Sequence, residues 1–174
     1  VDGSHVEVRG RRQCTEVAFV EAPVEGTSAE IVRFNAWQFR QILARGVHGI
    51  LLCQAESADA VRAFVESCRY PIHKIGVERG LGIGTRGRGG EPSAAAIWGV
   101  SVEDYLQRAD VWPLNPRGEL LLGVKIESLE GVSRVEQILS VPGIGFAEMG
   151  PGDLGLALGY TQVPRDPYPP EMQE

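Results

Sequence analysis

From Leu120 to Ile126 the chain is apolar except at Gly123 and Lys125, a run that suits a strand covered on both faces, and it ends on Glu127. A second short run, Gly145 to Met149, leads out into Gly150-Pro151-Gly152-Asp153. Between the two, Leu129, Val132, Val135, Ile138 and Leu139 recur at helical spacing, which makes the connection long enough for a right-handed parallel crossover. This pattern predicts Glu127 and Asp153 side by side at the same end of one sheet. Upstream the alternation repeats. Glu30 to Arg45 carries Ile31, Phe34, Trp37 or Gln38, and Ile42 on one helical face, with Gly46 as a stop. Gly49 to Cys53 is too short for a helix and reads as a buried strand, and Ser57 opens a second helix with Ala60, Val61, Phe64 and Val65 facing inward before Pro71. Strand and helix in alternation imply an α/β fold, a parallel sheet with helices outside.

Two segments break the pattern. Residues 76–99 are glycine-rich, carry Arg79, Arg86 and Arg88, and show almost no periodicity, the mark of a long loop. Gly82, Gly84 and Gly87 spell G-x-G-x-x-G there, but no apolar strand precedes them, so a flexible lid is the better reading than a dinucleotide fingerprint. Residues 160–174 are rich in proline and charge without an apolar run, and read as a loop.

A net charge of −6, with no basic stripe interleaved with aromatics, argues against nucleic acid as a partner. No apolar stretch approaches the roughly 20 residues that cross a bilayer and no signal peptide opens the chain, so no membrane partner is expected and cytoplasmic location is the default. Cys14, Cys53 and Cys68 lack C-x-x-C spacing, which points to neither a disulfide framework nor a zinc knuckle. Trp37, Trp98 and Trp112 read as packing residues. His48 starts a strand and so lies at the wrong end of the sheet for catalysis, while His73 falls in a turn expected to be exposed.

Two carboxylates converging at strand C-termini, beside a glycine segment with free backbone N–H groups, make a hard-cation site next to an anion site. For either acid alone, a solvated carboxylate at a strand end is the better reading; for the matched pair, the site is. The same residues carry a resemblance. VKIES and GPGDLGLALG resemble the two metal-ligand motifs of the HpcH/HpaI aldolase/citrate lyase family, divalent-metal-dependent pyruvate aldolases built on a (β/α)8 TIM barrel. GVHGILLCQAESADAVRAFVESCRYP is similar to that family's fourth strand and following helix, and the likeness runs from about Val17 to Gly159. It implies strands three to six near Val17 to Glu21, Gly49 to Cys53, Leu120 to Ile126 and Gly145 to Met149. A closed barrel takes about 200 to 250 residues. The 174 residues are therefore expected to form one incomplete barrel domain, whose open sheet edges would drive homo-oligomer formation.

By the resemblance, Glu127 and Asp153 bind Mg2+, Mn2+ or Co2+, and the backbone N–H groups of Gly152 and Asp153 hold the carboxylate of a small-molecule 2-oxo acid. The implied reaction is reversible aldol cleavage through a pyruvate enolate. A decarboxylase or carbon–carbon bond-forming enzyme on the same scaffold, and a truncated non-catalytic relative, are the alternatives. Arg86 and Arg88 either greet an anionic substrate at the mouth of the site or are solvated surface charges.

The resemblance has three departures. Glu21 stands at or near the place of the family's third-strand arginine, and Lys125 takes the place of a glutamine two residues before the metal-binding Glu127. By strand alternation Lys125 points to the same side as Glu127. It either replaces the missing charge at the substrate oxyanion or pairs with Glu21 or Glu127 as a buried ion pair. Beside carboxylates it stays protonated and is a poor Schiff-base nucleophile. The family's D-x-E-H general-base motif resembles Asp2-Gly3-Ser4-His5, which makes His5 the candidate for proton transfer, against a chance match in a terminal segment.

Overall fold

The computed structural model describes residues 17–173, so His5 and Cys14 lie outside the described residues. In chain order the elements are β1 (Phe19–Glu25), α1 (Ala29–Phe34), α2 (Ala36–Ala44), β2 (Gly49–Cys53), α3 (Ala58–Cys68), α4 (Glu91–Trp98), α5 (Val102–Arg108), β3 (Val111–Trp112), β4 (Leu120–Ile126), α6 (Leu129–Ser133), α7 (Val135–Leu139), β5 (Phe146–Met149) and α8 (Pro151–Ala157). Every strand pairing is parallel: β1 with β2, β2 with β4, and the far edge of β4 shared between β3 at Leu120–Leu121 and β5 at Gly123–Ile126. The sheet is a barrel-type parallel sheet that does not close. Its carboxyl ends all lie on one side, as parallel pairing requires.

One face of the sheet is the core. Ala22, Val24, Ile50, Leu52, Leu122 and Val124 pack with Phe39 and Leu43 of α2 and Phe64 of α3, all buried. Burying a side chain of the size of Leu or Phe contributes about 1.5–3 kcal/mol. The other face is concave and carries Phe19, Glu21, Leu51, Phe146 and Glu148. Across it Phe19 and Phe146 meet edge to face, ring centroids 5.9 Å apart. Gly49 and Gly123 make this possible, because a Cβ at either would come within 2.1 and 2.3 Å of the Phe19 and Phe146 rings respectively.

Several boundaries differ from the periodicity. The helix expected over Glu30 to Arg45 is two helices broken at Asn35, whose side-chain Nδ2 donates to the Ile31 carbonyl at 3.0 Å and so competes with the ladder. Its buried residues are Val32, Phe39 and Leu43, whereas Ile31, Phe34 and Trp37 are exposed. The expected loop over 76–99 contains α4, where the strong helix formers Ala94, Ala95 and Ala96 follow Pro92 in the first turn and Gly99 in a left-handed conformation ends the helix. The β4-to-β5 crossover is two short helices separated at Arg134, with Ile138 buried but Leu129, Val132 and Leu139 exposed. Gly131 and Ser133 are weak helix formers, consistent with the break. The glycine segment after β5 is helical, Pro151 occupying the first turn of α8. Trp112 is exposed, while Trp98 is buried and stacks on His48 with centroids 4.7 Å apart. His73, expected in the open, is buried beside Asp110. Among the described residues no helix is long and apolar enough to cross a membrane.

Candidate active site

Three parallel strands deliver three polar residues to one place. β2 runs out into Gln54, β4 into Glu127, and β5 through Gly150 into the first turn of α8, where Asp153 lies. Gln54 adopts a left-handed backbone with φ 49°, an uncommon state for a non-glycine residue. That turn aims its backbone N–H at Glu127 Oε1, 3.0 Å away, while its side-chain Nε2 donates to Asp153 Oδ2 at 3.4 Å. Gln54 therefore ties the two carboxylates together. Gly150 leaves the room: a Cβ there would lie 2.3 Å from Glu127 Oε2 and 2.7 Å from its Cβ. Ser128, the next residue after Glu127, caps α6 by accepting from the Gly131 N–H, which fixes where the chain turns beyond the acid.

Lys125 sits two residues back on the same face. Its Nζ is 2.9 Å from Glu21 Oε1, 3.8 Å from Glu148 Oε1 and 3.9 Å from Glu127 Oε2. The hydrogen bond that Lys125 donates to Glu21, aided by the charges of Glu127 and Glu21, raises the Lys125 pKa, so the amine stays an ammonium. Burial raises the pKa of Glu127, only 5% exposed, and the charges of Asp153 and Glu21 push in the same direction against the Gln54 N–H and Lys125. Burial likewise pushes the nearby Cys53 thiol up to about 11, which leaves it unreactive as a thiolate at neutral pH.

The donor set suits a hard divalent cation. Glu127 and Asp153 offer carboxylate oxygens, and a cation between them would relieve the mutual repulsion that burial makes costly. Among the described residues no group of three His, Cys, Asp or Glu side chains forms a closed protein cage. A divalent ion held by two protein carboxylates alone would keep its other positions for water or substrate.

The other expected site residues divide. Gly152 and Asp153 lie in the first turn of α8, before the ladder begins with the Leu154 N–H donating to Gly150, so their N–H groups are left for another acceptor. His5 lies outside the described residues. Arg86 is not brought to this cluster: it is buried, its Nη2 donates to Tyr105 Oη at 2.6 Å, and its guanidinium lies 4.3 Å from the centre of the Tyr70 ring. The reason is topological. The Arg86 N–H donates to the carbonyl of Arg69, just past the C-terminus of α3, and helices of this sheet run back toward the amino ends of the strands. The periodicity did not single out Gln54 or Glu148. Gln54 occupies the place on β2 that Glu127 occupies on β4, and that matched strand-end position was its only signal.

Residues 13–170 match the family model described as HpcH/HpaI aldolase/citrate lyase. The chain is 33% identical over 156 residues to a hydroxypyruvate/pyruvate aldolase of Chromohalobacter salexigens, covering 90% of this chain and 52% of that protein. It is 32% identical to a 2-keto-3-deoxy-L-rhamnonate aldolase of Klebsiella pneumoniae subsp. pneumoniae, covering 87% of this chain and 46% of that protein. It thus spans about half the length of these curated relatives. Among solved structures, a HpcH/HpaI aldolase/citrate lyase family protein from Burkholderia cenocepacia superposes with a TM-score of 0.61 at 26% identity, over 86% of this chain and 49% of that one. On the matched residues and the parallel sheet they build, the chain belongs to the HpcH/HpaI aldolase/citrate lyase family.

Proposed function

We propose that this protein is a divalent-metal-dependent aldolase that cleaves and forms the C3–C4 bond of a 4-hydroxy-2-oxo acid. The observation that carries the reading is the pair Glu127 and Asp153, joined through Gln54 at the carboxyl end of a parallel sheet. The aldolases to which the chain is similar are named for 2-oxo acid substrates, which supports pyruvate or hydroxypyruvate as the enolate-forming half.

Glu127 and Asp153 would hold Mg2+, Mn2+ or Co2+, which when bound supplies Lewis-acid polarisation of the keto oxygen. The N–H groups of Gly152 and Asp153 would bind the substrate carboxylate and so fix its orientation. In cleavage of a 4-hydroxy-2-oxo acid, a base takes the C4 hydroxyl proton, the C3–C4 bond breaks to release an aldehyde, and the electron pair passes to the C2 oxygen. Lys125, an ammonium on the same face as Glu127, opposes that developing negative charge. Its amine is not available as a nucleophile, which favours the metal route over a Schiff base.

A second reading, a non-catalytic relative, has one observation in its favour: Lys125 is already paired with Glu21 at 2.9 Å. Exchange of the pyruvate methyl protons with deuterated solvent, followed by NMR, separates the two. The aldolase reading expects exchange that stops with a chelator and returns with Mn2+ or Mg2+. No exchange at any metal concentration would sink it.

A further inference from the structure

A second charged cleft, of about 420 Å3, lies at the opposite end of the sheet from Glu127 and Asp153. It is walled by the C-terminal half of α2, by Tyr70 just beyond the end of α3, and by the 86–90 segment that leads into α4. Both helices end where the chain turns back toward the start of a strand, so this cleft belongs to the amino end of the sheet. Arg40, Arg45, Arg86 and Arg88 line it.

Four guanidinium groups line this one cleft in a chain of net charge −6. The acid beside them is Glu91, whose Oε2 accepts from the Gly89 N–H at 2.5 Å and whose Oε1 lies 3.9 Å from Arg88 Nη1. Among the described residues Arg40, Arg45 and Arg86 form no ion pair with a carboxylate. Arg86 is the informative residue. It is 2% exposed, held by Tyr105 Oη through Nη2 and laid over the Tyr70 ring, yet its Nη1 is buried with no hydrogen-bond partner. The buried Tyr70 Oη on the same wall is also without a partner. Leaving a buried charged donor unpaired costs more than leaving a neutral one, so a fixed, desolvated guanidinium with free N–H groups is prepared for an acceptor that arrives from outside.

We propose that this cleft binds a small dianion of the phosphate class, with Arg86 as the buried fork and Arg45 and Arg88 closing from the rim. Guanidinium matches tetrahedral oxyanions in two-point hydrogen bonds, and several such groups favour a dianion over a monoanion. A polynucleotide is disfavoured by the acidity of the chain as a whole. The site is separate from the metal site and does not depend on the aldolase reading.

The test is calorimetric titration of the full chain with inorganic phosphate at constant ionic strength. One saturable site is expected. Arg45→Gln and Arg88→Gln, both at the exposed rim, should each weaken binding by roughly tenfold, as loss of a hydrogen bond to a charged group does. Arg86→Lys, which keeps charge but loses the fork, should weaken it too, and Glu127→Gln should leave it unchanged. The proposal is overturned if the parent shows no saturable heat, if both rim variants bind phosphate like the parent, or if Glu127→Gln abolishes binding. The last result would assign phosphate to the carboxylate end of the sheet.

Discussion

Asp110, immediately before β3 at the amino end of the sheet, receives Arg69 through two hydrogen bonds of 2.6 and 3.1 Å and Asn115 at 3.0 Å, while the remaining Arg69 nitrogen reaches the Ile75 carbonyl. Both partners are essentially without solvent contact. At the carboxyl end, Lys125 faces Glu21, Glu127 and Glu148 at once, Asp153 stands nearby, and Glu21, Glu148 and Asp153 are exposed to solvent. The first cluster balances charge and pairs every Arg69 side-chain nitrogen; the second holds more carboxylates than cations and keeps them apart with one amide and one ammonium. Burial acts on both, yet with opposite outcomes. Burial alone would raise the Asp110 pKa, but Arg69 and Asn115 outweigh it and hold the carboxyl below its usual range, whereas the Glu127 pKa is raised. An ion pair that lowers its own acid's pKa stabilises the fold. A cluster that raises it leaves a carboxylate whose charge its neighbours do not offset.

The largest effect expected from this contrast is at the amino end. Arg69→Met leaves Asp110 buried without its cation, and should lower unfolding free energy by about 3–5 kcal/mol in urea denaturation. Because the Asp110 pKa is lower in the folded chain than in the unfolded one, the stability it contributes is present above the unfolded value and is lost as pH falls through the folded value. The acid limb of the parent's stability profile should therefore flatten in Arg69→Met. A variant as stable as the parent would break the comparison.

Next in size is Lys125. If its ammonium opposes the developing oxyanion, Lys125→Gln should slow pyruvate proton exchange by two to three decades, about 3–4 kcal/mol of barrier, with a smaller change in substrate affinity. Adding Glu21→Arg to that variant should recover activity, since it returns a positive charge to the same face. Exchange at the parental rate would make Lys125 a structural partner of Glu21 alone.

A smaller and more local effect is expected at Gly150. Its φ of −90° is open to any residue, so Gly150→Ala acts through the methyl group, which must displace the Glu127 carboxylate. Metal affinity should fall by roughly 10- to 100-fold, the range for residues that orient a ligand, with little change in melting temperature. A large loss of stability with unchanged metal affinity would show that Gly150 serves the fold instead.

The strands that carry Glu127 and its neighbours were legible in the sequence because their apolar runs are short and bounded by glycine or acid. The α3 helix was legible through Ser57 and the inward Val61, Phe64 and Val65. The breaks at Asn35 and Arg134 were not, since a helical period continues across them and the interruption is a side-chain and propensity effect of one or two residues. Arg69 and Asp110 stand 41 residues apart and carry no shared pattern, so only the packing of α3 against the start of β3 brings them together. Gln54 was hidden for a different reason: its role depends on a left-handed backbone and on β2 lying beside β4. Acidic strand ends can be read from one segment; what bridges them requires the sheet.

The central claim is that Glu127 and Asp153 act together as the ligands of one divalent cation. Calorimetric titration of Mn2+ into the full chain, beside Glu127→Gln and Asp153→Asn, tests it without reference to any substrate. One site in the parent, with affinity reduced at least about tenfold in each variant while the folds stay intact, is the predicted result. Parental Mn2+ affinity in both variants would contradict it.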